Sequence, residues 1–277
     1  MNENSGNSRL RVYDRDLLLH GRKRNEVLTL AEVEQYGSDS FADKDYVSIY
    51  GMPPREWYRL GVRLLGRTAV ECTRDALGDR ISRDVASVAL CMPSKKFTVI
   101  DPFAGSCNTL FWLLRHIPDS QGIGFEAEVS VFELTRRNLA AIGHSAKVVH
   151  GNYVELLSQI HVPRDRSIVV FVAPPWGTAL DESQGLDLSR TTPPVCDVIE
   201  QIHRQFQSHK VLFATQVYQK VTGRSLQELQ SRFEWTEMRI YDMNEEGRNH
   251  GIVLGTKGWS PDSRHAKRRT AMGKKVR

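Results

Sequence analysis

The segment 99–108, with the sequence V-I-D-P-F-A-G-S-C-N, limits the possible folds of this chain more than any other segment. An apolar run that ends in an acid and a glycine turn is typical of a strand whose carboxyl end lines a nucleotide-binding crevice. A second apolar run, I-V-V-F-V-A-P-P-W-G at 168–177, ends in a stiff turn. We predict two parallel strands that face one cleft, in which the first binds a nucleoside cofactor and the second positions the reacting group.

Apolar runs and helical patterns alternate from residue 97 onward, which favours a parallel sheet covered on both faces. The predicted strands are 97–100, 122–125, 146–149, 168–173 and 211–215, and the predicted helices are 108–116, 129–142, 153–160, 194–207 and 225–233. Segments 235–243 and 252–256 flank the turn-rich segment 245–251, a pattern typical of an antiparallel hairpin. The expected fold is α/β, with a mostly parallel seven-stranded sheet that ends in this hairpin and with helices on both faces.

The length of 277 residues and the 40% apolar content suit one sizeable domain with appended segments. We predict an amino-terminal arm and helical cap over 1–95, a main domain over 96–258 and a basic, disordered tail over 259–277. Within the cap, helical patterns cover 15–19, 30–36, 55–76 and 81–90.

The net charge of +5 is concentrated in the tail, where residues 259–277 carry seven Lys or Arg and one Asp. The other residues together have a net charge of about −1. This tail either binds nucleic-acid phosphates or is a solvated end that aids solubility, and both interpretations stay open.

The four cysteines, at 72, 91, 107 and 196, are widely spaced, which favours neither a disulfide framework nor a zinc site. The polar start of the chain lacks an apolar core, and no run approaches the roughly 18 apolar residues of a membrane span. We therefore expect a cytoplasmic protein with no membrane contact and no metal.

The string D-P-F-A-G-S at 101–106 resembles the cofactor loop of S-adenosylmethionine-dependent methyltransferases that act on exocyclic amines, including ribosomal-RNA guanine-N2 enzymes. The Pro-Pro-Trp-Gly string at 174–177 and the Asn-Thr pair at 108–109 are more similar to the trimethylguanosine synthase group, which methylates guanine N2 in RNA caps. The resemblance covers about 97–217. It implies a Rossmann-like class I fold, S-adenosyl-L-methionine as cofactor, and methyl transfer to an amino nitrogen.

The predicted cofactor site centres on two acids at strand ends. Asp101 is expected to accept hydrogen bonds from the cationic polar part of the cofactor, and Gly105 to let the backbone approach it. Glu126, with Glu128 as a nearby rival, is expected to bind the ribose hydroxyls, and Asn152 the adenine edge. The remaining predicted cofactor contacts are Pro102, Phe103, Ala104, Ser106, Asn108, Thr109, Tyr153 and Ala173. Cys107 stands where the family has a glycine, so a positive φ there costs on the order of 1 kcal/mol.

The predicted catalytic residues are Ala173, Pro174, Pro175, Trp176 and Asp181. The related amine methyltransferases have Asn, Asp or Ser at the position of Ala173, so here only main-chain carbonyls are expected to orient the amine. Trp176 is expected to stack on a planar, guanine-like substrate. Asp181 is a candidate acceptor for the proton that the amine loses.

Three functions remain open at this stage. The first is an N-methyltransferase for a planar, guanine-like substrate. That substrate can be part of an RNA, which the basic tail would bind. The second is the same chemistry on a free small metabolite, which the nearly neutral body of the chain favours. The third is a non-catalytic cofactor-binding or interaction module, which the residues at 107 and 173 suggest. The oligomeric state is not indicated.

Overall fold

The computed structural model describes residues 13–243 and 249–261. The predicted basic tail beyond residue 261, the first twelve residues of the arm and most of the predicted hairpin turn lie outside the described residues. The α-helices are α1 Arg15–Leu19, α2 Leu30–Phe41, α3 Pro54–Arg59, α4 Gly66–Glu71, α5 Asp75–Ala89, α6 Asn108–His116, α7 Val129–Ala141, α8 Tyr153–Leu156, α9 Val195–Gln205 and α10 Gly223–Ser231. The strands are β1 Phe97–Asp101, β2 Ser120–Glu126, β3 Lys147–His150, β4 Ser167–Val172, β5 Leu180–Asp181, β6 Gly185–Leu186, β7 Val211–Tyr218, β8 Trp235–Tyr241 and β9 His250–Lys257.

Seven strands form one sheet in the order β3-β2-β1-β4-β7-β9-β8. Neighbours from β3 to β7 pair in parallel, whereas β9 pairs antiparallel with both β7 and β8. The predicted α/β fold with a carboxyl-terminal antiparallel hairpin is therefore confirmed. Strands β5 and β6 form a separate two-stranded hairpin after β4.

The central strands are buried on both sides, as a parallel sheet between helical layers requires. All six residues of β4 are buried. Its alternate residues enter different cores: Val169 and Phe171 pack in the core that also contains α5 and α6, and Val170 packs in the core that contains α8, α9 and α10. The alternation follows from the period of two in a strand.

The amino-terminal helices belong to the first of these cores. Trp57 of α3 and Ile81 of α5 are fully buried in the same cluster as Val99 of β1 and Leu110 of α6. The predicted cap thus packs continuously against one face of the sheet. None of the helices in the described part of the chain combines the length and apolarity that a bilayer-spanning helix needs.

The helical pattern over 55–76 corresponds to α3, α4 and the start of α5, and the chain is extended between α3 and α4. Gly61 has a φ of 92°, a left-handed conformation that ends the helical path. Leu64 then accepts a hydrogen bond from the amide of Leu28 at 2.9 Å, and Leu65 bridges to Val27. Pairing with a segment distant in sequence therefore replaces the local hydrogen bonds of a helix.

Candidate functional site

Two carboxylates lie at the ends of adjacent parallel strands, where the sequence predicts a cofactor site. Asp101 ends β1 and Glu126 ends β2, and Asp101 is directly paired with Gly124 in the ladder. Glu126 accepts the amide of Gly105 at Oε2 (3.0 Å) and that of Glu128 at Oε1 (2.8 Å). These bonds join the loop between β1 and α6, residues 102–107, to the end of β2. This glycine loop and both acids therefore form one site.

Burial makes both acids hard to ionise. Desolvation raises the pKa of Asp101 to about 7; the hydrogen bond from the amide of Phe103 opposes this rise, and the nearby Glu126 charge adds to it. Desolvation also raises the pKa of Glu126, against the hydrogen bonds from its backbone partners and the positive charge of Arg67. Asp101 is buried with no cation among the causes of its shift, and Glu126 is half-buried with only Arg67 to offset its charge. A cationic ligand would favour the ionised form of both acids.

The glycine loop adopts the sharp turn that the sequence predicts. Gly105 has a φ of 49°, and a Cβ placed on it would meet no atom within 4 Å, so the backbone faces open space. Cys107 has a φ of 58°, a left-handed conformation that is energetically unfavourable for any residue with a Cβ. The Cys107 thiol packs against β2 at Gly124. A Cβ added to Gly124 would lie only 3.3 Å from the Cys107 Sγ, so this packing requires a glycine at 124.

The other residues of the loop are mostly buried, and hydrogen bonds within the loop and to β2 hold them in place. Ser106 Oγ accepts the amide of Asn108 at 3.3 Å, and the amide of Ala104 donates to the carbonyl of Phe125 at 2.8 Å. Pro102 and Thr109 are buried as well. These residues shape the loop.

The side chain of Asn108 makes hydrogen bonds that the sequence does not predict. Its Oδ1 accepts the amide of Tyr50 at 2.6 Å, and its Nδ2 donates to the carbonyl of Thr73 (2.7 Å) and to Asp75 Oδ1 (3.0 Å). Only 1% of Asn108 is exposed. The side-chain amide therefore binds the amino-terminal cap, which makes a direct cofactor contact a poor interpretation of this residue. No pattern in the sequence links position 108 to positions 50–75.

Asn152, which is predicted to bind the adenine edge, and the predicted cofactor contact Tyr153 lie just beyond β3. Asn152 Oδ1 accepts the amide of Val154 at 3.0 Å and caps α8, which leaves Nδ2 as the group able to meet a ligand. The Tyr153 hydroxyl donates to Gln201 Oε1 at 2.9 Å, and its ring lies edge-on to Phe103 with 5.3 Å between centroids. Phe103 and Tyr153 thus join the loop after β1 to the turn after β3.

The Pro-Pro-Trp-Gly turn follows β4, the strand next to β1. Trp176 is half-buried and stacks on His250 of β9, with 5.5 Å between ring centroids and 22° between ring planes. Tyr218 of β7 contacts Trp176 edge-on at 6.4 Å. Sequence reasoning missed His250 and Tyr218, which become neighbours only because β7 and β9 pair at these residues. A Cβ on Gly177 would also face open space.

Asp181 lies on the small hairpin beyond this turn, and its side chain accepts hydrogen bonds from the next residues of that hairpin. Its Oδ1 accepts hydrogen bonds from the amides of Ser183 (2.8 Å) and Gln184 (2.9 Å) and from the Ser183 hydroxyl (2.6 Å). The Ser183 hydroxyl bond and then these amides lower the pKa of this exposed carboxylate. A carboxylate with a lowered pKa is a weak proton acceptor, so the contacts favour a structural role over the predicted catalytic one.

The strand order of this sheet, with one antiparallel strand beside its last position, defines the class I methyltransferase fold. No protein-family model matches the chain, and no curated protein matches it significantly.

Many solved structures match the fold. A putative class I S-adenosylmethionine-dependent methyltransferase from Listeria monocytogenes is 15% identical over 70% of this chain and 64% of its own, with a TM-score of 0.49. A putative O-methyltransferase from Klebsiella pneumoniae is 13% identical over 74% and 87%, with a TM-score of 0.46. An rRNA methylase from Streptococcus thermophilus is 12% identical over 66% and 97%, with a TM-score of 0.40.

Proposed function

We propose that this protein is an S-adenosylmethionine-dependent methyltransferase that methylates an amino nitrogen of a planar, guanine-like acceptor. The observation that carries the proposal is the juxtaposition of three strand ends. Asp101 and Glu126 end β1 and β2, and the Trp176 turn follows β4 on the other side of β1. One cleft can therefore hold a cofactor over the two acids and present its reactive end toward Trp176.

The residues at the strand ends fit S-adenosylmethionine in charge and in shape. Burial raises the pKa of both acids, so a cationic ligand would stabilise their ionised forms, and the open space beside Gly105 admits a ligand close to the backbone. Asp101 would accept hydrogen bonds from the cationic amino group, directly or through water, and Glu126 from the ribose hydroxyls. Asn152 Nδ2 would donate to an adenine nitrogen. The bound cofactor supplies a methyl carbon already activated by a positively charged sulfur.

Alignment is then the main task of the acceptor side. Trp176 would stack on the flat acceptor and fix its plane, and the main-chain carbonyls of Ala173 and Pro174 would accept from its amino group. Holding two reactants in line is worth roughly 7–11 kcal/mol at best. A strong base is not required, because the amine becomes acidic once methylated and releases its proton to water.

The test is methyl transfer from tritiated S-adenosylmethionine to guanine nucleotides and to RNA, with Trp176→Ala and Trp176→Phe as paired variants. We expect Trp176→Ala to lose product while its affinity for S-adenosylhomocysteine is kept, because Trp176 acts on the acceptor. Trp176→Phe keeps an aromatic face and should retain part of the turnover. Unchanged turnover in Trp176→Ala would reject the acceptor role, and failure of the wild-type protein to bind S-adenosylhomocysteine would reject the function.

The free-metabolite alternative is favoured by the net charge of about −1 outside residues 259–277. Truncation after Pro261 distinguishes an RNA acceptor from a free-metabolite acceptor. It keeps Trp259, whose Nε1 donates to the carbonyl of Val211 at 3.0 Å. An RNA enzyme should lose affinity and salt dependence on truncation, since the removed residues carry the Lys and Arg excess. A metabolite enzyme should keep full turnover.

A further inference from the structure

We infer that the amino-terminal cap holds the glycine loop in its ligand-binding conformation, with Tyr50 and Asn108 as positioning residues. This inference rests on the proposed function, because the loop it concerns is the proposed cofactor loop. The cap is then a working part of the site, and the cofactor affinity of the protein depends on side chains that touch no cofactor.

The first step of the argument is that Asn108 is fully engaged by the cap. It opens α6 directly after the glycine loop, and its three short hydrogen bonds all reach residues 50–75. A buried amide that loses such partners bears a desolvation penalty, so these contacts strongly favour one position of the cap relative to the loop.

The second step is that Tyr50 also bonds the loop at Ser106, just before Cys107. Its hydroxyl donates to the carbonyl of Ser106, and its ring lies edge-on to Phe111 of α6 at 5.7 Å. The next residue, Gly51, donates its amide to Asp75 Oδ2 at 2.9 Å. Tyr50 itself has a φ of 57°, an uncommon value for an aromatic residue that persists only where the surroundings impose it.

The third step is that these contacts flank the strained residue of the loop. Ser106 and Asn108 are the chain neighbours of Cys107, whose φ of 58° glycine would adopt without cost. The loop therefore has a local tendency to leave this conformation, which the contacts on both sides of Cys107 oppose. Release of Cys107 would also move the amide of Gly105 away from Glu126, and the ligand site would lose its shape.

Tyr50→Phe tests the inference, with Tyr241→Phe as its matched control. Both tyrosines are buried, and each hydroxyl joins the cap to the main domain: Tyr50 to Ser106, and Tyr241 of β8 to Asp84 of α5 at 2.9 Å. Both variants remove a hydroxyl that joins the cap to the main domain, but only Tyr50→Phe loses a bond to the glycine loop. A loss of general stability would appear in both variants, and it would be at least as large in Tyr241→Phe, whose hydroxyl donates to a carboxylate.

The measurements are the dissociation constant for S-adenosylhomocysteine by calorimetry and hydrogen exchange of the 103–109 segment without ligand, both in full-length folded protein. We expect Tyr50→Phe to weaken binding roughly five- to tenfold, the equivalent of one net hydrogen bond, and to speed exchange in the segment. Tyr241→Phe should match the wild-type protein in both. Asn108→Ala should weaken binding further, and if it fails to fold, Tyr50→Phe decides.

The outcomes separate this inference from the proposed function. Equal affinity and equal exchange in Tyr50→Phe and wild-type protein would overturn the inference and leave the function standing. Equal losses in Tyr50→Phe and Tyr241→Phe would also overturn it, because the effect would then be one of general stability. No binding by the wild-type protein would overturn both.

Discussion

Asp101→Asn should stabilise the ligand-free protein while it weakens ligand binding. The carboxylate is 2% exposed, and its pKa is raised from 3.8 to about 7 in the folded chain, chiefly by burial. Asparagine keeps an oxygen that can accept the amide of Phe103, so the substitution removes the charge and little else. The stability difference between the two proteins therefore reports the cost of ionising this buried acid.

The sign and size of the effect follow from proton linkage. A folded-state pKa above the unfolded value means that the native protein binds the proton more tightly, so its free energy of unfolding falls as pH rises from about 4 to about 7. A rise of about three pKa units, at about 1.4 kcal/mol each, corresponds to about 4 kcal/mol. Asp101→Asn should thus gain about 2 kcal/mol near pH 5 and about 4 kcal/mol above pH 7.

The assay is urea unfolding of wild-type protein and Asp101→Asn at about pH 5 and about pH 7.5. Asp165→Asn is the control of opposite sign, since the hydrogen bond from the Lys96 ammonium lowers the pKa of that exposed carboxylate. Its ionised form is favoured in the folded state, so this variant should lose stability at neutral pH. A stability difference for Asp101→Asn that does not grow between the two pH values would refute the reasoning.

Three further outcomes are expected. The affinity of wild-type protein for S-adenosylhomocysteine should increase by up to about tenfold for each unit by which the pH is raised towards 7, because binding favours the ionised Asp101. Calorimetry on Asp101→Asn should show no such increase. Glu126→Gln should weaken the same binding roughly tenfold or more, as expected for loss of a charged acceptor, and unchanged affinity would remove Glu126 from the site. Cys107→Gly should be about 1 kcal/mol more stable than Cys107→Ala in urea unfolding, because only glycine relieves the positive φ; equal stability would show that the loop is unstrained.

Patterns within short stretches of sequence predicted most of the sheet. The helix predicted over 108–116 is confirmed as α6, and β1 and β2 differ from their predicted bounds by at most two residues at either end. Asp101 and Glu126 lie at the same edge of the sheet, because the carboxyl ends of adjacent parallel strands meet there. Strand β7 was predicted too short, because its last residues are held by pairing with β9, which follows much later in the chain.

Local sequence therefore determined the strands, the glycine turn and the two acids, because hydrophobic period and turn chemistry act between residues that are neighbours along the chain. Tertiary structure alone decided what surrounds those acids. Tyr50 reaches Asn108 and His250 reaches Trp176 through the packing of the cap and the pairing of β7 with β9, contacts that no local pattern specifies. Folding also buries Asp101 beside Glu126, and this desolvation raises the pKa of Asp101 and favours a positively charged ligand.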